Sequence, residues 1–573
     1  MKKTAKRILA LSVSLVAAVS SFAACGKSGN DGDSGIDVVK PVEGDSSNSK
    51  FVINCYDGGY GQNWLVQLCN ELYELCKDVS FEPGKKGAYF EVVGDKSAAT
   101  SLASDEIKQG STSTDFYITS AGSPSAYMTV KNNIIDFDNV YAYDMADILS
   151  EKVFDSNGEV TLDGNRFKTL DNGQTLLERM DDEIVDTWNF GKAAGAQKGA
   201  DGEIIDKYYF MPFEDTPVGL IVDWDFVGGK MNFHGSGIDG MPGTMQELSD
   251  LFEQIRESGY AGWTMGSGTS FYLYSFENAI RSKVDGIEKT KKMAYYLDDP
   301  EGYDFGGDTG NIKISYEAKN GYWATKTKGY KAVYDFAQMM CTTKGDTTYY
   351  ASDLFAKDFK QTQKDFVMSK SSSTFRRVAM LLDGEWWENE TRATFNQMAN
   401  KKENGYGVRD FRMMPIPRIT EDDAEDKYLL SAKQTSVMVA NPNTVKKGSA
   451  KEDLLRIFLQ YVFSRHGLAT LNTLTSISMP SYKYNLTSEE QGKLTKFGQW
   501  MYNLYRNEEF KYFRISETER FIKNPALSVR DLAIKTDTAI VACYQDARDG
   551  IQKTTDQRVQ EHFEKYKASL SAK

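Results

Sequence analysis

The apolar positions of the chain fall into two patterns. Short runs without alternation occur at residues 51–56, 89–93, 115–119, 218–223, 378–382, 412–417 and 435–440. Continuous runs of this length predict strands covered on both faces. Between them lie stretches with helical spacing. Residues 63–77 place Trp64, Leu65, Leu68, Leu72 and Leu75 on one side of a helix. Residues 242–255 do the same with Leu248, Leu251, Phe252 and Ile255, and Thr244 with Glu247 predicts a capping box at that start. Further helices are predicted over 101–109, 271–280, 330–340 and 454–464. Strand, turn and helix in alternation predict an α/β fold.

The stretch 378–390, VAMLLDGEWWENE, is the most informative. A buried strand runs to Asp383, and Gly384 lets the backbone turn where it ends. Trp386 and Trp387 follow, flanked by Glu385, Glu388 and Glu390. Adjacent residues face different directions, so at most one indole need be core. The other is available as a flat ring at the mouth of a cleft. Both rings filling core space at a turn is the alternative.

Composition narrows the classes. With 573 residues, 40% hydrophobic and 26% charged, the chain has the make-up of a soluble globular protein of two or three domains. Its formal charge of −13 disfavours nucleic-acid binding. Only three histidines occur, far apart, and there is no H-E-x-x-H, so no metal site is expected. Tyrosine, phenylalanine and tryptophan number 32, 31 and 8, enough to line an aromatic surface. Cys69 and Cys76 read as buried thiols on one helix face, and the body cysteines are too few for a disulfide-built fold. The Asp155–Gly158 turn has its glycine too early for an EF-hand.

The first 24 residues have a basic start (Lys2, Lys3, Lys6, Arg7) and an apolar stretch over 8–18, too short for a membrane span. Phe22-Ala-Ala-Cys25-Gly26 resembles the lipobox of bacterial lipoproteins, with Phe22 in place of the usual leucine. That resemblance implies cleavage before Cys25 and lipid on its sulfur. Residues 25–50 carry almost no bulky side chains and predict a flexible tether.

Taken in order, FVINCYDGGYGQNW, DFYITSAG, YYFMPFEDTPVGLIVDWDFVGG, MPGTMQELSDLFEQIRESG, AMLLDGEWWENE and SVMVANPNTVKKG resemble the segments of a family-1 extracellular solute-binding protein. Such a protein is the carbohydrate-binding lipoprotein of an ABC transporter. The resemblance spans residues 51–480. Asp223-Trp224-Asp225-Phe226 and Met245 stand where the family usually has a lysine-aspartate turn and a tryptophan.

The resemblance implies a two-lobed periplasmic-binding-protein-like fold of type II with interlobe crossover strands. Lobe one would comprise residues 51–215 and 430–479, and lobe two 216–429, with C-terminal helices over 480–573 mainly in lobe two. The ligand would be a carbohydrate, the partners ABC permease subunits, and the place the outer face of the cytoplasmic membrane. A monomer without cofactor or metal is expected. A sugar offers an apolar face to an indole and hydroxyls to Asp, Glu or Asn. The candidate ligand-binding residues are Asp57, Tyr60, Trp64, Asp115, Glu214, Trp263, Glu385, Trp386 and Trp387. Two other classes fit the same residues. A surface glycan-active enzyme would use paired carboxylates, and a non-catalytic adhesin would keep its aromatics in the core.

Overall fold

The computed structural model describes residues 38–571 except 95–99, 121–122, 152–158, 163–164, 169–173, 317–319, 371–376, 435 and 529–537. The leader, Cys25, the first part of the tether and the Asp155–Gly158 turn lie outside the described residues. Residues 40 and 42, inside the expected tether, bond to Asn70. The Val42 N–H donates to Asn70 Oδ1 (2.8 Å), and Asn70 Nδ2 donates back to the Lys40 carbonyl (2.8 Å).

Two mixed sheets form the frame. Along the chain their strands are β1 (Ser49–Cys55), β2 (Ala88–Val93), β3 (Phe116–Ile118), β4 (Met211–Pro212), β5 (Val218–Asp223), β6 (Ala261–Thr264), β7 (Val378–Gly384), β8 (Phe411–Met414), β9 (Tyr428–Gln434), β10 (Val437–Ala440) and β11 (Phe510–Ser516). The first sheet has the order β2-β1-β3-β10-β4. Its β1 is parallel to β2 and β3, and β10 is antiparallel to β3 and β4. The second has the order β6-β7-β5-β9-β11, with β8 also paired to β5. Every residue of β5 and of β7 is buried, as continuous apolar runs require.

Helices cover both sheets. α1 (Asn63–Cys76) buries the expected Trp64, Leu65, Leu68 and Leu72 against the first sheet. α2 (Met245–Glu257) covers β6, and α3 (Ser270–Asp285) lies along β9. Thr244 caps α2 by accepting the Glu247 N–H at 3.1 Å. The capping box is not closed as expected: the Glu247 carboxylate accepts from the Gly243 and Ser236 N–H groups instead. Each lobe has its own core, one containing Phe51, Phe116 and Phe458, the other Leu220, Phe252 and Met380. The five described cysteines, Cys55, Cys69, Cys76, Cys341 and Cys543, are buried free thiols.

The chain passes between the sheets from β4 to β5, from β9 to β10, and from Ser481 towards β11. One buried ion pair ties the first and third of these passages. The Asp215 carboxylate, fully buried, accepts from Arg514 Nε (3.0 Å) and from the Ser481 hydroxyl. Arg514 also donates to the Pro480 carbonyl (2.8 Å) and meets Glu183 (3.1 Å), while the Tyr512 hydroxyl donates to the Asp215 carbonyl. Removing one member of a buried pair leaves a charge without compensation. Arg514→Met should therefore lower the unfolding free energy by about 3–5 kcal/mol in urea denaturation. Lys483→Met, which removes only an exposed pair with Asp182, should change it by less than about 1 kcal/mol.

Candidate functional site

The site grows from the end of β7. Gly384 ends the strand and the chain turns into a short helix, Trp387–Glu390. The turn sends the two indoles opposite ways. Trp387 is fully buried in the second core, among the rings of Phe366, Phe395, Phe411 and Phe497. Trp386 is half-buried and packs against both lobe cores at once. Its Nε1 donates to the Tyr272 hydroxyl at 3.3 Å. The Phe271 ring lies 6.5 Å away with planes 25° apart, and Phe271 is 38% exposed.

The opposite wall at this point is backbone. Asn389 Nδ2 donates to the Gly59 carbonyl at 2.6 Å, joining the lobes. A Cβ at Gly59 would lie 2.6 Å from the Trp386 Cβ, so only glycine lets the turn after β1 come this close. Gly384 serves the same purpose from beneath, where a Cβ would meet the Trp386 ring at 2.3 Å.

Polar groups are paired at the end of β7 and on the passages between the lobes. Gln363, buried, donates its Nε2 to Asp383 Oδ2 (3.0 Å) and Glu390 Oε2 (2.8 Å). Linking the second passage to the first, the Ser436 hydroxyl lies 3.0 Å from Glu214 Oε2 and 2.6 Å from the Ser120 carbonyl. Glu214 holds a left-handed backbone (φ +48°), an uncommon conformation for a non-glycine residue. Burial pushes the carboxyls of Glu214 and Asp383 up to about 8, and neighbouring Glu390 pushes both in the same direction.

The expected residues divide accordingly. Trp386 packs against both cores at this seam, and Glu214 is near Glu390, one helical turn after Trp386. Tyr60 reaches the edge of the seam: its ring is buried, and its hydroxyl lies 3.3 Å from the Thr216 hydroxyl. Asp57 stands half-buried in the same turn after β1.

The structure corrects the others. Trp64 is buried against Phe213 and donates to the Gly61 carbonyl at 3.0 Å, a core role set by helical spacing. Trp263 does not face the seam. It is a fully buried residue of β6, its Nε1 bonded to the Met340 carbonyl at 3.0 Å. Trp387 is core for the reason already given. Asp115 precedes β3, at the end of the sheet away from the seam, and its carboxylate accepts from the Val52 N–H (2.8 Å) and Lys451 (2.6 Å). Glu385 has both oxygens engaged, by the Ser478 N–H (2.8 Å) and the Tyr505 hydroxyl (2.9 Å), so it fastens the third passage.

Asp383, Asn389 and Glu390 lie inside the stretch that the sequence singled out, but their direction depends on the turn at Gly384. Nothing in the sequence marks Gln363, Phe271 or Tyr272 as their neighbours.

No family model matches the sequence, and no curated protein matches it. Solved structures do. A chitin oligosaccharide binding protein aligns with a TM-score of 0.51 at 12% identity, over 92% of this chain and 100% of that chain. A structure from work on xylan utilization by the thermophilic bacterium Caldanaerobius polysaccharolyticus aligns at 0.51 and 12%, over 90% and 99%. A probable secreted solute-binding lipoprotein from Streptomyces coelicolor aligns at 0.50 and 12%, over 91% and 99%.

The chain has the fold of the solute-binding proteins.

At 12% identity the likeness shows the fold alone. In this fold, the seam around Trp386 is where the two cores face each other. Among the described residues, no helix is long and apolar enough to cross a membrane. Nor do any three His, Cys, Asp or Glu side chains stand where they could hold a metal ion.

The raised carboxyls make a pH prediction. With folded values of about 8 for Glu214 and Asp383 and unfolded values near 4, the folded chain binds more protons between those limits. Their contribution to stability is complete below about pH 4 and is lost as pH rises through about 8. Thermal unfolding midpoints should fall from about pH 5 to pH 8.5, and Asp383→Asn should flatten that fall.

Proposed function

We propose that this protein is the substrate-binding component of an ABC importer. It captures an oligosaccharide between its lobes and delivers it to membrane permease subunits. The reading rests on one observation: Trp386 is a partly buried indole that packs against both lobe cores, on a short helical turn that also carries Asn389 and Glu390. An indole face covers the apolar face of a pyranose, and the polar rim meets its hydroxyls. The strand order of the first sheet, with β10 returning from the other lobe between β3 and β4, supports the type II form of the fold. The chitin-oligosaccharide and xylan contexts of two structures with this fold favour a chain of sugars over a single one.

On this reading the work is binding by lobe closure, with no bond broken. Cys25 carries the lipid, the following polar residues tether the receptor at the outer face of the cytoplasmic membrane, and the receptor acts as a monomer. Glu214, Asn389 and Glu390 hold hydroxyls, with Tyr60 and Asp57 at the edge, while buried Asp383 fixes Gln363 behind Glu390.

The test separates the two indoles. Trp386→Ala should weaken oligosaccharide binding by about tenfold or more in calorimetry, because it removes the stacking face. Its unfolding midpoint should fall less than that of Trp387→Ala. Trp387→Ala should cost about 3–5 kcal/mol of stability, as for other large core truncations. Sugar release by the purified wild-type protein would contradict a receptor and favour a glycan-active enzyme.

A further inference from the structure

After β11 the chain could pass straight to the last helices of the second lobe. It does not. The helix α4 (Glu517–Lys523) turns into the first lobe, where Phe521 is fully buried and Ile522 nearly so within that lobe's core. It packs there against the helix Asp182–Thr187 and the turn Pro124–Ala126. That turn follows the C-terminal end of β3, on the rim that carries Ser120 and faces the seam.

Both ends of the same segment are fixed to the second lobe. At the start, Ser516 is the last residue of β11, and its N–H donates to the Tyr295 hydroxyl at 3.0 Å. Tyr295, fully buried in the second core, donates in turn to Glu519 Oε2 at 2.6 Å. At the end, Asn524 Nδ2 donates to the Tyr296 carbonyl at 2.9 Å. Leu527 then enters a small core with Met293, Tyr303, Ile314 and Tyr316. The chain is therefore held by lobe two at Ser516, Glu519 and Asn524 and by lobe one at Phe521 and Ile522. A rotation that parts the lobes moves these anchors in different directions, and α4 cannot follow both.

We propose that α4 is a strap that limits how far the lobes open, so that ligand enters through a small change of interlobe angle. This rests on the reading of the protein as a two-lobed receptor. Phe521 is the anchor in the first lobe, and Tyr295 with Asn524 makes the polar hold on the second.

Small-angle X-ray scattering of the purified, ligand-free protein tests the strap. Phe521→Ala, with far-UV circular dichroism unchanged, should raise the radius of gyration beyond the replicate error of the wild type. The double variant Tyr295→Phe/Asn524→Ala, which leaves the first core intact, should move it the same way. If Phe521→Ala fails to fold, the double variant decides alone. A folded variant set with the wild-type radius of gyration overturns the strap, whatever the sugar titrations give. Failure of the wild type to bind any oligosaccharide overturns the receptor reading while leaving the scattering comparison to be judged on its own.

Discussion

The turn at Gly384 forces two neighbouring indoles to opposite sides, and much of the site follows from that. Trp387 is clamped by four aromatic rings, so its orientation is fixed by packing. With Trp387 fixed, Trp386 has one direction left, into the space between the lobes. Glycines at 59 and 384 give it room on two sides. Asn389, one helical turn later, reaches the Gly59 carbonyl from the same short helix. A strand end built for the core of one lobe thus supplies the surface that meets the other.

Charge is handled in two different ways within a short stretch of chain. Asp215 is buried and meets a guanidinium, which binds two passages together. Its neighbour Glu214 is held by a hydroxyl instead, and across the seam Asp383 by an amide and a backbone N–H. Burial therefore favours the protonated form of both, and a neutral carboxyl is a donor as well as an acceptor. On the proposed reading this suits the partly exposed Glu214 to a ligand made of hydroxyl groups, each of which also both donates and accepts.

Much of the frame was legible in the sequence because strands covered on both faces leave continuous apolar runs. The runs at 218–223 and 378–382 became β5 and β7, and the helical spacing from Asn63 became α1. The site was legible only in part. Its central stretch stood out by composition, and one of its two indoles does face the seam. Trp64 and Trp263 share that composition but are covered from all sides, which depends on partners such as Phe213 and Phe355 far along the chain. Asp115 and Glu385 are acids spent on backbone N–H groups and on Lys451 or Tyr505. Gln363 and the strap at Phe521 carry no local signal, since their roles come from tertiary neighbours alone.

The most direct measurement is fluorine NMR of protein labelled with 5-fluorotryptophan, with Trp386→Phe used to assign its resonance. Saturation with an oligosaccharide is predicted to shift the Trp386 signal, while the buried Trp64, Trp263 and Trp387 signals stay in place. Oligosaccharide binding that leaves the Trp386 signal unmoved, or no binding by any member of a broad oligosaccharide panel, would contradict the account.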